Sequence, residues 1–254
     1  MNKQIFIFSL LLVIVVPFNS SAQRWKLRRY EASAGPGTVN FFGDIGGTAA
    51  DKNMAGFKDI QLRYTRPSLV LGGTYKLRGD MHLKMNLIFG AIAGDDLESR
   101  NDGRNFAFTS TIFEPSLQFE YYLLPEGKGF SSSAIFNKRG MINNYAQFSV
   151  YVFAGVGGIY SNPKPKKDYV TVFNDNFSKF GVAFPAGLGI KYSIDSQWSL
   201  GFELGRRFTL TDYIDGYTSE FSKHKDTYYI GAITAIYKIR TDRRGVPSFK
   251  RSYR

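Results

Sequence analysis

Cysteine is absent from this chain of 254 residues. That excludes disulfides, thiolate metal sites and a lipid anchor carried on a cysteine at a signal-cleavage site. Histidine is nearly absent: the only two are His82 and His224, and neither sits in a recognisable nucleophile motif. Long apolar runs are missing after the first 16 residues, and no later stretch approaches the ~20 apolar residues of a membrane helix. The glycines of F-A-G-V-G-G at 153–158 do not make a phosphate loop, because they fall in a strand pattern with no helix to follow. Acidic residues are the minority: 21 against 33 Lys and Arg, a formal charge of +12. An apolar fraction of 43 % rules out a disordered chain.

What is present is alternation. In residues 180–192, Phe180, Val182, Phe184, Ala186, Leu188, Ile190 and Tyr192 share one parity, with Gly181, Ala183, Pro185, Gly187, Gly189 and Lys191 on the other. After the polar piece S-I-D-S-Q, residues 198–210 repeat the rule. Trp198, Leu200, Phe202, Leu204, Phe208 and Leu210 alternate with Ser199, Gly201, Glu203, Gly205, Arg207 and Thr209, and Arg206 is the exception on the apolar face. A side-chain period of two means strand, and two such strands with a short polar turn mean a hairpin. The polar face is mostly glycine with an occasional charge. That suits a small closed barrel in lipid, with an apolar outer band, aromatic girdles and a crowded lumen.

The first 22 residues read as a secretory signal peptide. Lys3 is followed by a 12-residue apolar core at 5–16 and by small residues ending at Ala22, which places cleavage between Ala22 and Gln23. The core is too short for a spanning helix. Further strands are expected at 30–39, 68–77, 81–91, 106–124, 145–160 and 226–239. With the opening hairpin that makes eight, which an outer-membrane barrel at ~10 residues per strand accommodates with chain to spare for loops. Residues 161–179, including N-P-K-P-K-K, are expected as loop. Very short turns follow strands two and six, and long loops follow strands one, three, five and seven. Tyr75, Tyr121, Tyr192, Trp198 and Tyr237 collect at the short-turn side, as an interfacial belt would. This parity puts short turns and both mature termini in the periplasm. Residues 125–144 break the pattern: a connection of about 20 residues on the short-turn side, well beyond the usual loop. Residues 23–239 are therefore expected to form the barrel, and 240–254 a basic periplasmic tail with no sheet pattern.

Lys84, Glu114, Glu120, Lys191, Glu203 and Arg207 fall on the lumen face. In a narrow lumen they must pair, because an isolated buried charge is expensive. They are expected to form a structural ion-pair network rather than a catalytic dyad or proton path. Asp44, Asp95 and Asp96 are expected in solvated external turns, matching no established calcium loop. Lys164, Lys166 and Lys167 are placed in an external loop where they could meet lipid phosphates. Lys128, Lys138 and Arg139 in the long connection, with Arg240, Arg243 and Arg244 in the tail, are candidate contacts for an acidic periplasmic protein. No cofactor, metal or small-molecule substrate is indicated, and the basic charge of an exported barrel is not a nucleic-acid footprint.

Seven stretches carry a family resemblance. They are N-F-F-G-D-I-G-G at 40–47, Arg66 with Pro67, G-D-D at 94–96, E-Y-Y-L-L-P at 120–125, Y-V-F-A-G-V-G-G-I-Y-S-N-P at 151–163, F-P-A-G-L-G-I-K-Y at 184–192 and G-F-E-L-G-R-R-F-T-L-T-D-Y at 201–213. In order and over nearly the whole mature chain, the set resembles the PorG-type outer-membrane barrels of Bacteroidota. The resemblance implies a part in the type IX secretion system beside the periplasmic ring of PorK- and PorN-like proteins, with no catalytic residues. A stand-alone surface barrel for envelope integrity or adhesion is the alternative, and a lipid-modifying barrel enzyme a more distant one.

Overall fold

The computed structural model describes residues 28–43, 45–46, 62–97, 99, 102–126, 148–173, 176–217, 225–242 and 246–248. Eight strands follow one another: β1 (Tyr30–Phe42), β2 (Arg66–Lys76), β3 (Met81–Asp95), β4 (Phe106–Leu124), β5 (Phe148–Lys167), β6 (Phe180–Ser193), β7 (Trp198–Thr209) and β8 (Thr227–Ile239). Each pairs antiparallel with its neighbour in sequence, and β8 closes on β1 from Tyr30–Ile239 to Phe42–Thr227. The fold is thus a closed, eight-stranded, antiparallel up-and-down barrel. Closure leaves no free sheet edge around the wall.

Residues of one parity point outward. Leu69, Met85, Leu117, Phe119, Val152, Val156, Leu188, Phe202 and Ile233 are between 42 and 55 % exposed and come from seven different strands. An apolar surface that encircles the molecule is far larger than a soluble protein shows to water. It is the lipid-facing band of a transmembrane barrel. Aromatic pairs mark both of its borders. At the short-turn end, Tyr30 packs on Tyr75 (5.2 Å between ring centroids), Phe148 on Tyr192 (4.8 Å) and Trp198 on Tyr237 (5.0 Å). At the other end Phe89 packs on Phe113 (4.7 Å) and Tyr160 on Phe180 (5.0 Å). Arg206, the charged residue on this face, lies over Phe208 and Tyr229 and donates to Thr227 Oγ1 at 3.2 Å.

The short turns are held by local bonds. The N–H groups of Leu77 and Arg78 both donate to Met81 O at 3.0 Å. Beyond β6, the Asp195 carboxylate accepts the Trp198 N–H at 2.7 Å. β1 alternates poorly because it is small on both faces. A Cβ at Gly35 would strike the backbone of Ile233 and Thr234, so this strand sits against β8 only because glycine is there.

Three strands outrun the lengths expected for them. β1 runs on through Phe41 and Phe42, β3 through Asp95, and β5 through Lys167. The N-P-K-P-K-K segment is therefore strand, not loop. Phe106 to Phe113 pair with Lys167 to Tyr160, whereas β6 meets β5 only as far as Tyr160–Phe180. Pro163 and Pro165 carry no N–H, so they leave no donor unpaired where β6 has ended. The tail is not wholly irregular either: Thr241 bridges to Pro247, and Ser248 N–H donates to Arg240 O at 2.8 Å. A 3-10 turn occupies Leu62–Tyr64, just before β2.

If the band is the lipid-facing surface, Leu117→Arg near its middle destabilises the barrel in a bilayer by about 2–4 kcal/mol. The neighbouring Ser116 points inward, so Ser116→Ala leaves stability close to wild type. Urea unfolding in lipid vesicles measures both, and equal effects would count against the inside–outside assignment.

Candidate functional site

The lumen is filled in three storeys, because inward side chains from eight strands meet at the axis. At the short-turn end, Lys76 and Lys191 both reach Glu31 at 2.7 Å. Glu126, two residues past β4, folds back over the mouth. It accepts from Ser193 Oγ at 2.6 Å, from Lys76 at 3.2 Å and from Lys238, with Lys191 at 3.9 Å. The middle storey holds Lys84, which bonds Glu203 and lies 3.7 Å from Glu120. Tyr151 OH donates to Glu203 at 2.6 Å and Tyr122 OH to Glu120 at 3.3 Å. Above it, Arg207 lies 3.6 Å from Glu114, which accepts the Tyr228 hydroxyl at 2.7 Å.

All six charged residues placed in the lumen by alternation are buried. The structure brings them together in two groups and a pair rather than one network. Lys191 belongs with Glu31, Lys76, Glu126 and Lys238. Lys84, Glu120 and Glu203 form the second group, with Arg207 and Glu114 as a separate pair above. Sequence reasoning missed Glu31, Lys76, Glu126 and Lys238. Glu31 sits in the weakly alternating β1. Lys76 and Lys238 have inward parity at strand ends, a signal that was there to read. Glu126 lies past the last strand residue, where parity says nothing. Together Lys76, Lys84, Lys191, Arg207 and Lys238 face Glu31, Glu114, Glu120, Glu203 and the partly exposed Glu126, so the lumen charge balances once Glu126 at the mouth is counted.

His82 is buried with its ring 4.2 Å from that of Tyr122 and its Nδ1 3.7 Å from Glu120. No serine or threonine hydroxyl is hydrogen-bonded to it among the described interactions, so the geometry of a nucleophile–base pair is lacking. His224 lies outside the described residues. No group of three or more His, Cys, Asp or Glu side chains with metal-binding geometry occurs among the described residues.

The long-loop end is closed by a different chemistry. Inward Val39, Val70, Ile88, Ile92, Phe108, Ile112 and Ile159 form an apolar core that Ile45, Tyr169 and Ile214 complete from the loops. Buried aspartates tie those loops to one another. Asp96 accepts Gly46 N–H at 3.0 Å and Arg104 Nε at 3.0 Å. Asp215 accepts Ile45 N–H at 3.3 Å and Tyr217 N–H at 2.9 Å. Asp226 accepts Ile214 N–H at 2.9 Å. Burial and the nearby Asp215 push the Tyr169 hydroxyl well above its ordinary pKa, so it stays a neutral donor to Asp215 O. Gly216, at φ +77°, is crowded by Phe173, Pro163 and Phe177, and both constraints demand glycine. The expectation of solvated turns fails for Asp96, which is fully buried, and for Asp95, which pairs with Lys167 at 2.7 Å. Asp44 lies outside the described residues.

The remaining candidates divide in the same way. Arg240 is exposed at the short-turn end, just beyond β8. Ala22, Gln23, Lys128, Lys138, Arg139, Arg243 and Arg244 lie outside the described residues.

A closed wall, an encircling apolar band and a self-neutralised lumen define a small transmembrane β-barrel of the outer-membrane type. The chain belongs to the family described as a domain of unknown function (DUF6089), whose model matches residues 5–235. No curated protein matches it. Among solved structures it is similar to Neisserial surface protein A at 8 % identity, with 82 % of this chain and 96 % of that one covered and a TM-score of 0.45. It is similar to OprG of Pseudomonas aeruginosa at 11 % identity, covering 84 % and 97 %, with a TM-score of 0.46. Outer membrane protein W of E. coli gives 15 % identity, 83 % and 97 % coverage and a TM-score of 0.41.

Two outcomes test the charge network. Lys84→Met leaves Glu203 and Glu120 buried without their cation, at a cost of about 3–5 kcal/mol, and adding Glu203→Gln restores part of it. Urea midpoints of the single and double variants measure this. The second concerns Glu126, which lies outside the membrane span. Burial alone would raise its pKa, but Lys191, Lys76 and Lys238 hold it well below the ordinary carboxylate range. Its contribution is therefore complete above pH ~4.5 and is lost only as pH falls through its lower folded value. Carboxyl carbon chemical shifts at pH 4 should still report an ionised Glu126.

Proposed function

We propose that this protein is a non-enzymatic outer-membrane barrel that anchors or stabilises a periplasmic protein-secretion assembly, of the kind the PorG resemblance implies. Its partners are then ring proteins similar to PorK and PorN, and outer-membrane lipid surrounds its wall. In this reading residues 1–22 are removed on export and the short-turn end faces the periplasm. The observation that carries it is how the chain leaves β4. Two of the three connections at the short-turn end are tight turns. The third spans residues 125–147, and its root is pinned across the mouth by Glu126 on Lys76, Lys238 and Ser193. A segment of that length, fixed at its root on the same end of the barrel as Arg240, is the candidate docking element. The balanced lumen, filled from one end to the other, supports an anchoring role over a conducting or catalytic one.

Affinity purification of the tagged barrel from detergent-solubilised outer membrane, followed by mass spectrometry, tests this. Recovery of a ring lipoprotein and its partner is expected. Reversal of charge at Lys128, Lys138 and Arg139, or at Arg240, Arg243 and Arg244, should reduce that recovery several-fold without altering barrel assembly. Recovery of lipid alone would favour the stand-alone surface barrel instead.

A further inference from the structure

The basic cluster at the end of β5 is not one cluster. Lys167 adopts a left-handed backbone, φ +54°, and its side chain pairs with Asp95 over the lumen rim. Lys164 and Lys166 keep the outward parity of Tyr160 and Asn162, and both are exposed. Neither takes part in an ion pair among the described residues. The nearest acidic group along the chain, Asp168, accepts Asn105 Nδ2 at 2.8 Å. The two lysines thus stand on the outer wall, with their charge unspent.

Their height is set by the strand. Tyr160 packs against Phe180, and Phe113, its register partner, against Phe89. These rings mark the membrane border, and Leu117 and Val156 lie in the apolar band below. Four further residues along a strand tilted by ~40° carry Lys164 about 10 Å above that border. Thr111 and Asn162, then Thr109 and Lys164, then Lys166 opposite the small, buried Ala107, follow one another along the same outer face. That sequence, apolar to aromatic to neutral polar to cationic, follows the profile of a bilayer from acyl chain to headgroup phosphate.

We infer that the outer face of the β4–β5 extension binds the phosphates of an anionic glycolipid in the outer leaflet, with Lys164 and Lys166 as its cations. The inference rests on the long-loop end facing outward from an outer membrane, not on the secretion role. It also gives a purpose to the extension. Three strands, β3, β4 and β5, continue past the point where β6 stops, carrying the lysines to headgroup depth, and Asp95 removes the one lysine of the three that would point over the lumen.

The test uses the full mature chain in phosphatidylcholine nanodiscs doped with diphosphorylated lipid A or with its dephosphorylated counterpart. Lipid retained after gradual delipidation is counted by native mass spectrometry. The wild type should retain the diphosphorylated form preferentially. Lys164→Gln with Lys166→Gln should lower that retention about tenfold, and Lys164→Arg with Lys166→Arg should keep it. Equal retention of both lipids, or unchanged retention in the glutamine variant, overturns the proposal. So does displacement of the lipid by millimolar inorganic phosphate, which would make free phosphate the ligand. Failure of the wild type to assemble in the bilayer would be seen before any glycolipid is counted, and would count against the membrane barrel itself.

Discussion

An eight-stranded barrel fills its interior with side chains, so every inward charge has to find its counter-charge within the chain. Much of this structure follows from that constraint. Lys84 cannot be buried without Glu203, nor Glu203 without Tyr151 to take its second bond. Arg207 and Tyr228 share Glu114. The mouth is too wide for strand residues alone to close, so Glu126 is drawn in from beyond β4 to face three lysines. Glycine is the complement of these long side chains. A Cβ at Gly189 would fall on the Tyr151 ring, and one at Gly205 would crowd Phe153 and Arg207. The charges and the glycines form one packing solution, which is why they alternate along the same faces.

The two ends of the lumen solve the constraint differently. The long-loop end uses oil: Ile88, Ile92, Phe108, Ile112 and Ile159 from the wall, with Ile45 and Ile214 from the loops. Its polar backbone is satisfied by Asp96, Asp215 and Asp226, each accepting N–H groups of the loops. The short-turn end uses salt. Oil packed under backbone bonds closes as a unit, because removing any one piece opens a cavity and orphans a donor. A mouth closed by carboxylates among lysines holds three buried cations, Lys76, Lys191 and Lys238, against Glu31 and the partly exposed Glu126.

The sequence was most legible where the two faces of a strand differ most. β4 was read to the residue, and β6, β7 and β8 within one residue at their ends. Lumen placement of Lys84, Glu114, Glu120, Lys191, Glu203 and Arg207 followed from parity alone. Legibility failed where both faces are alike. β1 is small inside and out, so its Glu31 went unnoticed. Above the membrane, β3 and β5 lose their apolar outer face, and the alternation that had defined them stops although the hydrogen-bond ladder continues to Asp95 and Lys167. The apolar upper core was hidden for a related reason. Ile88 and Ile92 sit beside Leu87, Phe89 and Ala91, and a run apolar on both faces gives no period from which to choose the inner one. Glu126 and the aspartate ties belong to loops, where only three-dimensional proximity pairs Asp215 with Ile45 across 170 positions of sequence.

Loss of alternation is also what gives the β4–β5 extension its meaning. A strand surrounded by lipid must be apolar outside, so the point at which its outer residues turn polar locates the membrane surface without any other marker. On β5 that point falls between Tyr160 and Asn162. On the paired β4 it falls between Phe113 and Thr111, the register partners of those same residues. Two strands running in opposite directions change character at the same height, which a chance run of polar residues on one strand would not do. Everything beyond that level is in headgroups or water. The β4–β5 extension there has no lipid to match and no β6 beside it, yet with β3 still paired to β4 it stays in register for several more pairs, held by Ser110 Oγ on Asn162 N–H and by Asp95 on Lys167. The wall is rigid at the level where it presents its lysines, so their spacing is fixed by the sheet rather than left to a loop.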